Sequence, residues 1–514
     1  MPAARLSRGA LPTVTPTAVI AAAAATASAV VVAGFALQST SSFLRIAAPT
    51  LLGGVALWMF LSEHYERTLA VLALYLGLFD GYVKLKTGST IATLGRDVLL
   101  YAIASGALIR WSFSGRRVRL PTLTPGVVVW VVICLAEVLN PVVPSISHAF
   151  AGVRQHIEFV PLFFLGYAVM RSERRLLGLF ALLLFVAAVN GVVGLIQSHL
   201  SPASLAAWGP GYAKEVIGTG SLTGGGRTFV DAHGVAHVRP PALGSDFGFG
   251  GAVGAMALPG AMVLAAATGR YRRYLPLILI GVVLAVVGVA TSQARVDVVS
   301  AADVVLFFLL LAATTRGGLA AVVIAGLLGL VIYFGLTSVF STVTSSANRY
   351  GSIAPTRVIS TTISYRGSTL ALIPTYLVDY PLGAGIGSEG PAGGSSVGGS
   401  VASSLNAESE FNFLILEVGA PGLIALCTLI LCGVGMGIRL RSLANRRLQY
   451  PLAAMTAILM SFVASWVVGV DTANSPSSPF IWLALGTLAY WYREMREGRV
   501  PVRASRIGAT LAEH

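Results

Sequence analysis

The sequence predicts an all-α integral membrane protein with about fourteen (12–14) transmembrane helices and two long extracytoplasmic loops. Hydrophobic residues make up 55% of the 514 positions, whereas only 11% are charged. A soluble chain of this length needs more charge to cover its surface, and the mean hydropathy is +0.79. Several apolar runs also reach about 20 residues, the length that spans a bilayer as a helix. No polar segment is long enough to fold as a separate soluble domain.

The predicted spans divide the chain into six parts. Helices 1–7 occupy 1–196, helices 8–11 occupy 247–338 and helices 12–14 occupy 411–492. An extracytoplasmic loop at 197–246 separates the first two groups, a larger one at 339–410 separates the last two, and 493–514 is a basic cytoplasmic tail. The individual spans are predicted near 17–37, 46–62, 68–83, 97–112, 126–142, 157–170, 176–196, 247–268, 274–291, 296–314, 317–338, 411–437, 450–470 and 476–492.

The positively charged residues are distributed unevenly among the predicted loops. Most of the 35 Lys and Arg residues fall in alternate loops, which is the pattern that orients membrane proteins with these loops in the cytoplasm. The main clusters are Arg5–Arg8, Arg116–Arg119, Arg171–Arg175, Arg270–Arg273, Arg439–Arg447 and Arg493–Arg506. Both termini are therefore predicted to be cytoplasmic. The net charge of +14 leaves no surplus that would indicate nucleic-acid binding.

Four arginines on the outer side are the main candidates for binding an anion: Arg154, Arg239, Arg295 and Arg366. Arg295 lies in a connection of a few residues between two spans, where an arginine is unfavourable unless it is paired, snorkels to the interface or has a function. An ion pair with Asp297 is one alternative. Because guanidinium groups bind phosphate oxygens with two parallel hydrogen bonds, Arg239, Arg295 and Arg366 are predicted to converge on a pyrophosphate headgroup.

Carboxylates lie on the same side as these arginines. One of Asp246, Asp379, Glu408 and Glu410 is expected to accept a proton from an attacking sugar hydroxyl. Glu417 and Asp471 lie nearer the membrane and are expected to pair with an arginine or a helix end. The sequence has no Walker loop, no His/Cys cluster with metal-ligand spacing and no repeated acid in mid-span. It therefore predicts a site without metal or cofactor.

Two glycine-rich motifs follow one another near the second loop. Residues 381–387 read Pro-Leu-Gly-Ala-Gly-Ile-Gly, and residues 417–422 read Glu-Val-Gly-Ala-Pro-Gly. An arginine-containing segment, 239–250, leads into a helix, and Arg295 follows one helix later. On these features, over roughly 230–435, the chain resembles the O-antigen ligase and O-antigen polymerase superfamily of bacterial membrane glycosyltransferases. A weaker similarity covers 154–165.

The resemblance implies a fold like that of integral-membrane, polyprenyl-diphosphate-dependent glycosyltransferases. It also implies transfer of a glycan from a polyprenyl-diphosphate-linked oligosaccharide to a glycan or glycolipid acceptor, on the outer face of the bacterial plasma membrane and without a cofactor. The implied catalytic residues are Glu408, Arg295 and Arg366. The implied pyrophosphate ligands are Arg239, Arg295, Arg366 and Arg154, and the implied supporting residues are Asp246, Glu417, Gly383 and Gly385.

Two alternatives stay open at this point. Ligases of the superfamily have His where this chain has Glu408, so extension of a repeat-unit polysaccharide is favoured over transfer of a finished glycan to a terminal acceptor. Glu408 is expected to act either as the proton acceptor or as the partner of an arginine. A transporter of lipid-linked or anionic solutes is the alternative from another class, and it predicts charged residues in mid-span.

Overall fold

The computed structural model describes residues 42–88, 94–113, 119–143, 145–218, 228–230, 236–267, 272–313, 367–389 and 409–502. The chain divides into two compact units, Met1–Trp58 and Met59–His514. The first is described only by the beginning of the helix Ser42–Leu61, and the remaining described residues belong to the second. The predicted spans at 17–37 and 317–338 lie outside the described residues, as do Arg366 and Glu408.

The described residues form mainly helices. In chain order these are α1 (Ser42–Leu61), α2 (Tyr65–Leu78), α3 (Asp80–Thr87), α4 (Leu94–Phe113), α5 (Thr124–Ala136), α6 (Ile146–Ile157), α7 (Pro161–Val169), α8 (Glu173–Ser198), α9 (Pro202–Ala206), α10 (Pro210–Ala213), α11 (Phe249–Ala266), α12 (Leu275–Thr291), α13 (Arg295–Ala312), α14 (Gly367–Leu370), α15 (Ile373–Asp379), α16 (Glu410–Arg439), α17 (Arg446–Ser465) and α18 (Ser477–Arg496). Strands β1 (Thr228–Val230) and β2 (Ala236–Val238) pair antiparallel, with Thr228 opposite Val238. Single 3₁₀ turns cover Glu137–Leu139, Arg272–Tyr274 and Leu440–Ser442, and a π turn covers Lys214–Gly218.

Four helical segments are long and apolar enough to cross a membrane, namely Glu173–Ser198, Phe249–Ala266, Glu410–Ser442 and Arg446–Ser465. The pair α2 and α3, bent by 42°, makes a fifth if it counts as one span. Every predicted span within the described residues contains a helix, but some helices, such as the nine-residue α7, are too short to cross alone. The described residues are thus mostly helical, with four to five candidate membrane spans, which agrees with an all-α membrane protein. The total of about fourteen spans stays a prediction.

Helices α8, α11 and α12 form the main apolar core. Small residues let their backbones approach closely, as is typical of helix packing in membranes. A Cβ on Gly254 of α11 would lie 2.6 Å from the carbonyl oxygen of Ala285 in α12, and one on Gly191 of α8 would collide with the carbonyl of Leu284. These contacts bring α8 and α11 close to α12.

The predicted outer loop at 197–246 is largely folded where the structure describes it. Helix α10 packs on α3 and on α9, and Leu205, Tyr212 and Val238 form a buried cluster with Leu85 of α3. The sequence predicts a loop here because these helices are only four and five residues long. Such short helices carry too little periodicity to be recognised, and burial against α3 stabilises them.

Helix α13 packs along α17, and α16 begins beside the segment that joins α17 to α18. Helix α16 is kinked at Gly419, whose φ of 65° lies in the left-handed region. The beginnings of α11, α13, α16 and α18 therefore meet the end of α17 at one end of the molecule. The predicted topology assigns this end to the outer face.

Candidate active site

A cavity of about 260 Å³ lies where these helix ends meet. Its wall is formed by the beginnings of α11 and α13, the last turns of α17 and the segment 469–477. Asp246, Asp297 and Asp471 line it, and none of the described residues that line it is basic. The other polar lining residues are Ser300, Ser461, Ser465, Asn474, Ser475 and Ser477. We call this space the polar cavity.

Asp297, in the first turn of α13, is the most deeply placed of the three aspartates. It is 5% exposed, and its Oδ2 has no hydrogen-bond partner among the described residues. Gly251 of α11 makes room for it, because a Cβ at that position would collide with this oxygen. The charges of Arg239, Asp246 and Asp471 act on the carboxylate electrostatically. This oxygen is enclosed by the protein, and the carboxylate also interacts with the Ser292 hydroxyl. Asp297 as a residue nevertheless lines the cavity, where a ligand that donates hydrogen bonds can approach it.

Asp471 and Glu410 organise the segment between α17 and α18. Glu410 Oε2 accepts hydrogen bonds from the backbone N–H groups of Asp471 (2.6 Å) and Thr472 (3.1 Å), and its Oε1 accepts one from the Thr472 hydroxyl. Asp471 in turn accepts hydrogen bonds from Ser465 and from Ser477 (3.0 Å). Burial raises the pKa of the Asp471 carboxyl, and the two serine hydrogen bonds oppose this rise. Glu410, one of the predicted proton acceptors, thus accepts hydrogen bonds that hold the segment between α17 and α18 in place.

Two polar side chains of α8 position the segment that carries Arg239 and Asp246. Gln197 donates to the carbonyl of Ala242 (3.0 Å) and accepts from its N–H (2.8 Å). Asn190 accepts from the N–H of Leu243 (3.0 Å). Both side chains are fully buried. The sequence analysis missed them, although an amide inside an apolar span is itself a signal, because it must find a partner there.

Arg295 begins α13 between Ala294 and Val296, which both line the polar cavity. Its Nε has no hydrogen-bond partner among the described residues, and no ion pair joins it to Asp297 there. The ion pair considered as an alternative is therefore absent. Gln293, just before it, has a φ of 57°, a strained conformation that is enriched at functional sites.

Arg239 is half-buried and lies within electrostatic range of Asp297. Arg239 and Arg295, two of the three arginines predicted to converge, are therefore both near the polar cavity. The third, Arg366, lies outside the described residues. The same holds for Glu408, two residues before the described start of α16.

The two glycine-rich motifs contact each other through Glu417. Its Oε2 accepts a hydrogen bond from the backbone N–H of Gly387 (2.6 Å). Its Oε1 accepts from the N–H of Glu389 and the hydroxyl of Ser388 (3.3 Å). The carboxylate is fully buried. Glu417 thus holds the loop 381–389 against α16, instead of pairing with an arginine as one expectation had it.

Glycine is required where this loop meets α16. Gly383 and Gly385 have φ values of 98° and 101°, and Gly419 has 65°, a region that side chains rarely adopt. A Cβ on Gly419 would also collide with the backbone of Leu382. Hydrogen bonds from the Ala384 N–H to the Leu416 carbonyl (2.6 Å) and from the Ala420 N–H to the Pro381 carbonyl (3.0 Å) join the two segments. The predicted supporting residues Gly383 and Gly385 therefore shape this contact.

His156 completes the Glu417 cluster. Its Nε2 lies 3.2 Å from Glu417 Oε2, and its ring lies between Trp130 and Phe413. The ring is fully buried, and its Nδ1 has no hydrogen-bond partner among the described residues. The sequence analysis did not assign His156 a role, because nothing in the sequence brings it next to α16.

Arg154 is held by carboxylates. Its Nε lies 2.6 Å from Asp97 and 3.8 Å from Glu158. Arg96 lies 2.6 Å from the same Glu158 and 3.3 Å from Asp80. The guanidinium predicted to bind pyrophosphate thus belongs to a largely buried network that joins the bend between α2 and α3 to α4 and α6. Its charge is already compensated there.

Asp303 is a carboxylate in the middle of α13 that the sequence analysis overlooked. Its Oδ1 accepts a hydrogen bond of 2.6 Å from Ser461 of α17. It is a single acid in the middle of the predicted span 296–314, so it does not form a repeated series of mid-span acids. The hydroxyl at Ser461 explains how the acid is tolerated, because it supplies a partner inside the helix pair.

Neither the family models nor the curated proteins with which this chain was compared give a match. Among the described residues no group of three or more His, Cys, Asp or Glu side chains is arranged to hold a metal ion. The site is therefore interpreted from its own geometry.

Proposed function

We propose that this chain is a membrane glycosyltransferase that moves a glycan from a polyprenyl-diphosphate carrier to a sugar hydroxyl. The observation that carries the proposal is the polar cavity at the ends of apolar helices, with Arg239 and Arg295 beside it. Arginines suit the diphosphate, which is the leaving group. The aspartates suit the hydroxyl that replaces it.

The proposal includes the predicted topology, with about fourteen spans, both termini in the cytoplasm and both long loops outside a bacterial plasma membrane. Its support is the distribution of arginine along the sequence. The partners are a lipid-linked oligosaccharide donor, a glycan or glycolipid acceptor and the surrounding lipids. We favour repeat-unit polymerisation, because Glu408 stands where ligases of the resembled superfamily have His. Ligase-type transfer to a terminal acceptor is the second form of the same reaction.

A transporter is the second candidate, and one specific observation favours it. Asp303 is a mid-helix acid that connects through Ser461 to the polar cavity, and intramembrane acids often mark ion or proton pathways. The transporter account, however, gives no role to Arg239 and Arg295 beside the cavity. We therefore place it second.

Lysine substitutions of Arg239, Arg295 and Arg366 test the proposal. Lysine keeps the charge but loses the two-pronged geometry, and hydrogen bonds to charged groups contribute about 1.5–3 kcal/mol. We expect each variant to bind undecaprenyl diphosphate about tenfold or more weakly than wild type, as measured with purified protein. Arg499→Lys, at an exposed arginine, is the matched control and should bind normally. Wild-type affinity in all three variants would contradict the proposal.

A further inference from the structure

The polar cavity is lined by acceptors of hydrogen bonds. Three aspartates and several hydroxyls face a space of about 260 Å³, and none of its described lining residues is basic. An anion would be repelled from this space by the carboxylates. A metal ion is disfavoured as well, since the described residues contain no arrangement of three or more ligating side chains. The lining therefore suits a neutral ligand rich in hydroxyl groups.

The size of the cavity limits that ligand. Its volume lies just below the range of about 300–1,000 Å³ that is typical of small-molecule sites, so it suits one sugar ring rather than an oligosaccharide. Phe247, Phe249 and Phe462 contribute apolar surface to the same wall. Sugar rings have apolar faces as well as hydroxyls, and this combination of aromatic rings and acceptors fits both.

Only one described carboxylate of this region has the properties of a proton acceptor. Both oxygens of Glu410 accept hydrogen bonds from the segment 471–472, and both oxygens of Asp471 accept them from serines. Asp246 is exposed to solvent. Asp297 is buried and lines the cavity, and Ser292 is the only side chain among the described residues that acts on its carboxylate by a hydrogen bond.

We propose that the polar cavity binds the acceptor sugar and that the Asp297 carboxylate takes the proton of its attacking hydroxyl. The inference rests on the proposed function. The hydroxyl oxygen forms a bond to the anomeric carbon of the donor, and the bond from that carbon to the diphosphate oxygen breaks. The electron pair leaves with the polyprenyl diphosphate, which Arg239 and Arg295 stabilise. The hydroxyl proton goes to Asp297 and then to solvent. In this proposal Glu408 is the partner of an arginine and not the proton acceptor.

The test compares Asp297→Asn with Asp303→Asn in the full-length protein. Both changes neutralise a carboxylate of α13, but Asp303 is hydrogen-bonded to Ser461 and does not line the cavity. The removal of a general base typically lowers the rate about 10²- to 10⁴-fold. We expect kcat to fall by this factor in Asp297→Asn, with unchanged affinity for undecaprenyl diphosphate. Asp297→Glu should recover part of the rate, and Asp303→Asn should stay within about threefold of wild type.

Sugar binding is measured separately from transfer. The probes are glucose, galactose, mannose, rhamnose, N-acetylglucosamine and glucosamine. Their binding is measured by saturation-transfer nuclear magnetic resonance, with the protein in a detergent that has no sugar headgroup. We expect at least one neutral sugar to bind wild type and Asp303→Asn. Its binding should weaken about tenfold in Asp297→Asn, because a charge-assisted hydrogen bond becomes a neutral one. Binding of the cationic glucosamine alone, or of no sugar, would overturn the assignment.

The two measurements separate the two proposals. If wild type transfers glycan but Asp297→Asn turns over like Asp303→Asn, the role of Asp297 is refuted and the proposed function stands. If wild type does not bind undecaprenyl diphosphate while a neutral sugar binds in an Asp297-dependent way, the proposed function fails and the sugar site stands. Equal loss of rate in Asp297→Asn and Asp303→Asn would mean that both acids only maintain the fold.

Discussion

At the scale of single residues, Glu417 shows why a carboxylate and not an amide is required. Its two oxygens face two backbone N–H groups, those of Gly387 and Glu389. A carboxylate accepts at both oxygens, whereas a glutamine amide has one acceptor oxygen and one NH₂ donor. Glutamine would therefore place a donor against a donor at one of the two positions, inside a fully buried site.

We expect Glu417→Gln to lower the free energy of unfolding by about 1–3 kcal/mol, because one buried N–H loses its acceptor. Amide hydrogen exchange should also become faster at Gly387 or Glu389. Glu63→Gln, at an exposed glutamate, is the control and should change stability by less than about 0.5 kcal/mol. Unchanged exchange in the loop 381–389 would show that Glu417 does not hold it.

Gly419 gives a second prediction at this scale. Alanine there would adopt a left-handed backbone, which is unfavourable by about 1–2 kcal/mol, and its Cβ would collide with Leu382. We expect Gly419→Ala to destabilise the protein by at least that amount in thermal unfolding. Gly435, on the same helix, has open space around its Cβ position, so Gly435→Ala should be neutral or stabilising by up to about 1 kcal/mol. Equal effects of the two variants would refute the contact.

At the scale of helices, Arg96 joins three elements. It lies between Asp80 at the bend after α2 and Glu158 at the end of α6, and it belongs to α4 itself. Removal of one partner from a buried ion pair leaves an uncompensated charge and typically costs about 3–5 kcal/mol. We therefore expect Arg96→Ala to lower the thermal midpoint strongly. Arg499→Ala, which breaks an exposed ion pair with Glu494, should have little effect.

The sequence predicted helices well where apolar runs were long. Helices α8, α11, α16 and α17 lie at predicted spans, because a run of about 20 apolar residues has few other ways to satisfy its backbone in a membrane. The packed helices α9 and α10 were missed, because they are stabilised by contacts distant in sequence.

The candidate site was predicted only in part. The sequence singled out Arg239, Arg295 and Asp246 near what proves to be one cavity. It did not single out Asp297 as a functional residue, because burial and an unpartnered oxygen are properties of the folded chain. The role of Glu417 was equally hidden, since its partners are backbone N–H groups of a loop about 30 residues earlier. The charge pattern of the sequence could suggest an arginine as the partner of Glu417, but not the backbone N–H groups of a loop.

At the scale of the whole molecule, the proposed reaction requires that the polar cavity face the outer side of the membrane. Arginines in alternate loops predict an orientation, and in the proposed topology the meeting point of the helix ends lies outside. A lipid-linked donor presented at the outer surface would then reach the cavity directly.

Single cysteines in a cysteine-free background test this orientation. We expect Ser221→Cys and Ser395→Cys to react with an impermeant thiol reagent on intact cells whose outer wall has been opened. Ser505→Cys, in the tail, should react only after lysis. The reverse pattern would place the polar cavity in the cytoplasm and refute the proposed topology.

Direct assay of glycan transfer tests the central claim. Full-length protein in liposomes would be mixed with polyprenyl-diphosphate-linked oligosaccharides extracted from the cells in which this chain is native, and the products analysed by mass spectrometry. We predict released polyprenyl diphosphate together with carriers that hold two or more repeat units, and neither product with Arg295→Lys above a small fraction of the wild-type amount. Donor that is bound by wild type but remains intact would contradict the account.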